Sequence, residues 1–168
     1  MSYTLADKPM KTSHLVGVAI TALLISCYQS EPITTKTATA VNPPIQLAEF
    51  SLIQQDSTPF NNASLQGKWT LMFFGFTFCP DVCPITLQSL ALSLQKIEQA
   101  GIENVQVVFV SVDPARDTPE RLEEYLAHFD KNFIGVTGEL TDIEKFTRSI
   151  GVVFAHNPAD ESGYYAVD

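Results

Sequence analysis

The apolar positions of this chain fall into blocks of different period, and each block predicts an element. Residues 15–25 form an apolar run behind Lys8 and Lys11. Residues 29–45 show no apolar period and are rich in Thr, Ala and Pro. Periodic structure starts at residue 46. Residues 46–52 and the stretch around Phe60 read as short strands flanking a polar turn. Gly67-Lys68 punctuates, and residues 69–76 (Trp-Thr-Leu-Met-Phe-Phe-Gly-Phe) form a continuous apolar and aromatic run. Such a run suits a central strand buried on both faces. Residues 83–100 then switch to helical spacing, with Leu87, Leu90, Leu94 and Ile97 on one face. Pro84 fits the first turn of that helix and Gly101 stops it.

A second buried strand is predicted over residues 105–112, ended by Asp113-Pro114. The Thr-Pro-Glu-Arg sequence from Thr118 supplies a cap and a pre-set first turn for a helix over residues 119–129. Residues 133–136 read as a short strand and residues 141–150 as a third helix, followed by Gly151. Residues 152–155 and 164–167 read as two strands joined by a polar loop, residues 156–163. Strand–helix–strand alternation predicts a mainly parallel sheet covered on both faces. The sequence stops at Asp168, inside the last predicted strand, and a bare sheet edge there is unfavourable. The chain is therefore expected to be a fragment that lacks its closing elements.

Composition narrows the class. Of 168 residues, 45% are hydrophobic, which suits a globular core, and 17% are charged, too few for a disordered acidic chain. The formal net charge of -9 argues against nucleic acid or an anionic surface as partner. The length allows one domain plus a targeting segment.

The first block is read as an address rather than as structure. The apolar run suits a signal-peptide core and falls short of the roughly 20 residues of a membrane span. It ends Leu24-Ile25-Ser26-Cys27, which resembles a bacterial lipobox with Cys27 as the lipidated residue. An uncleaved signal anchor and a plain signal peptide are the alternatives. All three export the domain, to the periplasm or the outer face of a bacterial cytoplasmic membrane. The expected organisation is a signal segment over residues 1–27, a flexible linker over 28–45, and a domain over 46–168. Thr, Ala and Pro in the linker cannot bury enough surface to offset chain entropy.

The chemistry concentrates at Cys79-Pro80-Asp81-Val82-Cys83, directly after a predicted strand and at the mouth of a helix. Sites form at the carboxyl ends of strands in open α/β sheets. A helix N-terminus stabilises a thiolate, so one of the two cysteines is expected to have a lowered pKa. Both sulfurs lie within one turn and can converge on one ion or on each other. Thiolates select soft metals, and two of them alone suit Cu(I) better than structural zinc, which wants four ligands. Spacing alone leaves three readings open: a metal site, a thiol–disulfide oxidoreductase, and a permanent Cys79–Cys83 disulfide in an exported domain. An oxidoreductase usually has two residues between its cysteines, and this motif has three.

The run from Phe74 to Pro84, Phe-Gly-Phe-Thr-Phe-Cys-Pro-Asp-Val-Cys-Pro, closely resembles the signature of the Sco/SenC family. So do Phe109-Val110-Ser111-Val112-Asp113-Pro114 with Arg116-Asp117-Thr118-Pro119, Phe133-Ile134-Gly135-Val136-Thr137-Gly138, and Tyr165-Ala166-Val167-Asp168. The likeness runs over nearly all of residues 46–168. It implies an α/β, thioredoxin-like fold in its peroxiredoxin-like variant: a mixed sheet flanked by helices, with an N-terminal strand hairpin. It implies a copper metallochaperone that assembles the copper centre of cytochrome c oxidase, with Cu(I) or Cu(II) as cargo. The partner would be the copper-bearing subunit of that oxidase or another exported copper or thiol protein. Reduction of a partner's cysteines is the alternative activity. Cys79 and Cys83 match the family's two sulfur ligands. Its third ligand, a histidine, would follow Val167-Asp168 directly and lies beyond this sequence.

The remaining candidates are weaker. His14 sits in the signal region, His128 reads as a helix-terminal surface residue, and His156 as a solvated loop residue, so none replaces the missing ligand. Asp113 ends a strand on the cysteine side of the sheet, where it would either orient ligands or a partner or simply make a turn. Asp81 would cap the helix or dock a partner, with capping favoured. Arg116 and Asp117 read as a turn-stabilising pair.

Overall fold

The computed structural model describes residues 38–161 and 163–168. The targeting segment, with His14 and Cys27, lies outside the described residues, as does most of the expected linker. The chain divides into two compact units, Met1–Pro44 and Ile45–Asp168. In the first, residues 38–44 are exposed and carry neither helix nor strand.

The second unit builds β1 (Ser51–Gln54), β2 (Pro59–Asn61), β3 (Trp69–Gly75), α1 (Val82–Gln99), β4 (Val105–Ser111), α2 (Pro119–Leu126), β5 (Ile134–Thr137) and α3 (Leu140–Ser149). The strands form one sheet in the order β2-β1-β5-β4-β3. β3, β4 and β5 run parallel, whereas β1 pairs antiparallel with both β2 and β5. The sheet is thus mixed, with an N-terminal hairpin, as the resemblance implied.

β4 carries the core. Its Val107 and Phe109 face one layer and its Val108 and Val110 the other, because successive strand side chains alternate. The first layer packs on Leu87, Ala91 and Leu94 of α1 and on Leu122 and Leu126 of α2. The second packs on Ile143 and Phe146 of α3, together with Leu52, Phe60 and Val136. Helix limits follow local signals. Thr118 accepts a hydrogen bond from the Arg121 amide at the start of α2, with Pro119 in its first turn. Gly101 and Gly151 follow α1 and α3 with positive φ, where a side chain would be strained.

Three expectations fail. β3 is not a central strand: among the described residues it pairs with β4 alone and lies at the sheet margin, with most of its residues half-buried. An apolar run reports that both faces are covered, and says nothing of the neighbour in the plane of the sheet. The two late strands are also absent as strands. A single antiparallel bridge joins His156 to Val167, reinforced by reciprocal backbone bonds between Ala155 and Asp168 of 2.8 and 2.9 Å. β1 begins at Ser51, later than the predicted start at residue 46.

Candidate metal centre

The site grows out of the β3–α1 connection. β3 ends at Gly75, residues 76–81 turn, and α1 opens at Val82. The Cys79 amide donates to the Phe76 carbonyl at 3.2 Å, which closes the turn. Cys83 follows in the first turn of α1, so the two sulfurs lie on successive windings of one short segment. A Cβ at Gly75 would stand 2.8 Å from the Cys83 Sγ and 2.9 Å from the Phe109 ring. Only glycine leaves room for the buried sulfur at that point.

The two thiols are not equivalent. Cys83 is 5% exposed and borders an apolar cavity of about 230 Å³ lined by Phe74, Gly75, Val112, Phe154 and Val167. Burial pushes its pKa up from 9.0 to about 12, and the Cys79 sulfur and the Asp117 carboxylate add to the rise against a backbone bond at Phe76. Cys79 is half-buried, and burial opposes its ionisation too. Backbone hydrogen bonds from Asp81, Cys83 and Val82, with one from the Cys83 thiol, outweigh that and lower its pKa below 9.0. The expected helix-terminus effect therefore acts on Cys79 alone. Asp81 holds the N-cap position but makes no side-chain capping bond, which corrects the capping expectation. The Cys79 sulfur meets the amides that a capping carboxylate would otherwise take. Both cysteines are free thiols here, and the Cys79–Cys83 bridge is not formed.

A buried carboxylate holds the turn from below, and it is not the one singled out from sequence. Asp117 is fully buried and accepts from the Thr77 amide at 3.0 Å, the Thr77 hydroxyl at 2.7 Å and the Ser111 hydroxyl at 2.6 Å. Arg121 Nε reaches the same Thr77 hydroxyl at 3.3 Å. Asp113, also fully buried, is bonded to neither cysteine. It pairs with Arg116 and accepts from the Tyr165 hydroxyl at 2.6 Å. Arg116 and Asp117 thus serve different partners instead of each other. Sequence reasoning gave Asp117 the wrong partner, pairing it with Arg116, because its true partner Thr77 lies 40 residues away.

Neither His128 nor His156 joins the two sulfurs in a metal-holding group. His128 is exposed, with Nδ1 2.7 Å from the Glu124 carbonyl, as a helix-terminal surface residue should be. His156 is not a solvated loop residue. It is half-buried, edge-on to Phe154 and Tyr165, with Nε2 4.0 Å from Asp113. Among the described residues no three His, Cys, Asp or Glu side chains gather into a metal-holding group. The donor set present is two sulfurs, one readily ionised and one shielded. It fits a soft cation of low coordination number, or reversible dithiol chemistry.

The comparisons agree with this frame. A family model described as SCO1/SenC matches residues 39–168. A protein of Stutzerimonas stutzeri described as copper-binding is 37% identical over 122 residues, covering 72% of this chain and 59% of that protein. The mitochondrial SCO1 homolog 1 of Arabidopsis thaliana is 41% identical over 115 residues, 68% of this chain and 34% of its own length. The chain thus spans only part of these curated relatives. The crystal structure of Arabidopsis thaliana ScoI with copper bound matches at a TM-score of 0.67 and 40% identity, over 73% of this chain and 75% of that one. The thioredoxin-like fold implied by the sequence motifs holds, and the chain belongs to the SCO1/SenC family.

Proposed function

We propose that Cys79 and Cys83 form a copper site, and that the protein is a copper metallochaperone acting on an exported partner. The observation that carries this reading is the donor pair itself: two thiols within one turn, one ionising below the ordinary range, on a chain of the SCO1/SenC family. The copper-bearing subunit of cytochrome c oxidase is the partner that the family motifs imply. Copper is cargo here. Cys79 takes the ion first because its sulfur is accessible and readily ionised, and Cys83 closes on it from the apolar side. Asp117 and Thr77 hold the turn in place. Asp113 and Asp81 act at a distance, Asp113 through Arg116 and Asp81 as an exposed acid at the rim. The domain is exported and tethered to the membrane by lipid on Cys27.

Anaerobic titration of the reduced chain with Cu(I) tests the site: one ion per chain is expected, lost in both Cys79→Ser and Cys83→Ser. No uptake by the unmutated chain sinks the proposal. Membrane fractionation of the full chain against Cys27→Ala tests the tether.

A second reading, a dithiol reductant of a partner's cysteines, is favoured by one observation. Cys79, half-buried with a lowered pKa, would attack a partner's disulfide, and Cys83 beside it would resolve the mixed disulfide. Its measure is the reduction potential of the pair and the rate at which the reduced chain opens an exposed disulfide.

A further inference from the structure

The turn that carries Cys79 and the segment that ends at Asp168 share no strand pairing, yet one side chain touches both. The Arg116 guanidinium carbon lies 3.8 Å from the Tyr165 ring centroid and 5.9 Å from that of Tyr164. It also lies 5.0 Å from the Phe78 ring and 5.8 Å from the Phe76 ring, both on the cysteine turn. Its Nη1 donates to the Tyr165 carbonyl at 3.2 Å, and its Nε is paired with the buried Asp113, which in turn holds the Tyr165 hydroxyl. Its Nη2 is buried with no hydrogen-bond partner among the described residues. A buried donor left unpaired is costly, so the aromatic faces around it must supply the compensating attraction. The rings around it belong to two different chain segments.

We propose that Arg116 is a positioning residue for the cysteine site: sandwiched between the two segments, it fixes residues 164–168 against the turn that carries Cys79. The part of this that concerns copper rests on the copper reading above. A flat guanidinium is needed, since it stacks on rings while its edge reaches a carboxylate and a carbonyl together. A lysine keeps the charge beside Asp113 and loses the stack. Without it the turn samples more positions, and binding an ion must then order it.

The test uses the full chain with Arg116→Lys, because Arg116→Ala would leave Asp113 buried and unpaired and endanger folding. Phe78→Leu removes a ring that Arg116 meets on the cysteine turn, together with the 5.6 Å contact of Arg121 to that ring. Amide hydrogen exchange is measured on the metal-free protein. Both variants should speed exchange in residues 76–80 and residues 164–168 together, by about tenfold, the equivalent of one shielded cation–π contact. The double variant should be no faster than either single one. Competition against a chromophoric Cu(I) chelator should show affinity falling by a similar factor.

Faster exchange confined to residues 164–168, or no change in either segment, overturns the coupling. Unchanged Cu(I) affinity alongside faster exchange in both segments overturns the positioning role. Failure of the unmutated chain to take up Cu(I) sinks the copper reading instead, and the exchange result then stands by itself.

Discussion

At the scale of single residues, the inequality of Cys79 and Cys83 makes the sharpest claims. Near neutral pH a limiting dose of iodoacetamide should label Cys79 and spare Cys83, as read by peptide mass. Labelling of Cys83 first would contradict the burial and hydrogen bonding described. The raised Cys83 pKa also fixes a sign. Folding favours its protonated form, so the folded chain holds more protons than the unfolded one between 9.0 and about 12. Stability must fall as pH rises through that window and be flat, for this group, below it. Tyr125, also raised to about 12 by burial and by the nearby cysteine sulfurs, adds to the same fall. Urea unfolding from pH 8 to 11 should show the decline, partly relieved in Cys83→Ala. Asp117→Ala strips three buried donors of their acceptor and should cost about 2 kcal/mol or more. It should also speed Cys79 alkylation as the turn loosens. His156 gives a spectroscopic check. A strong Cu(II)–thiolate band from this chain would bring that ring into the site, and the 4.0 Å approach to Asp113 predicts that it stays away.

At the scale of elements, Gly75 is the position where strand and helix constrain each other most. Gly75→Ala puts a methyl against Cys83 and Phe109, and overpacking of that kind costs about 1–3 kcal/mol. Equilibrium unfolding and the Cu(I) titration should both register it, because the side chain displaced is the proposed ligand Cys83. By contrast Thr118→Ala removes the cap of α2 and should cost about 1 kcal/mol with Cu(I) uptake unchanged. Elements were legible in the sequence where their signals are local. Pro119, Gly101 and Gly151 mark helix limits within a residue or two, and the unbroken apolar run Val107 to Val110 marks a strand with two covered faces. The hairpin near Phe60 was legible from its polar turn. The place of β3 at the sheet margin was not, since strand order is decided by pairing between distant segments. The same holds for Asp117 and for the stack on Arg116, whose partners come from 38 to 49 residues away. The cysteine pair was legible because its chemistry fits inside five residues.

At the scale of the whole molecule, the fold divides labour between a rigid layer and a tuned surface. β4 is buried along nearly all its length and carries both cores. Phe109→Ala should cost about 3–5 kcal/mol and threaten folding outright. The site stands on the neighbouring strand's end and is tied to that support at Gly75 beside Phe109 and at Asp117 on Ser111. The buried thiol has one further consequence for the molecule's surroundings. An ion that binds both sulfurs must evict the proton that Cys83 keeps at neutral pH. Loading is then a proton-releasing reaction, and its affinity should climb by about tenfold per pH unit where only that proton is displaced. Calorimetry in buffers of different ionisation heat would count the protons directly. On the copper reading proposed above, a fall in pH would then loosen the bound ion.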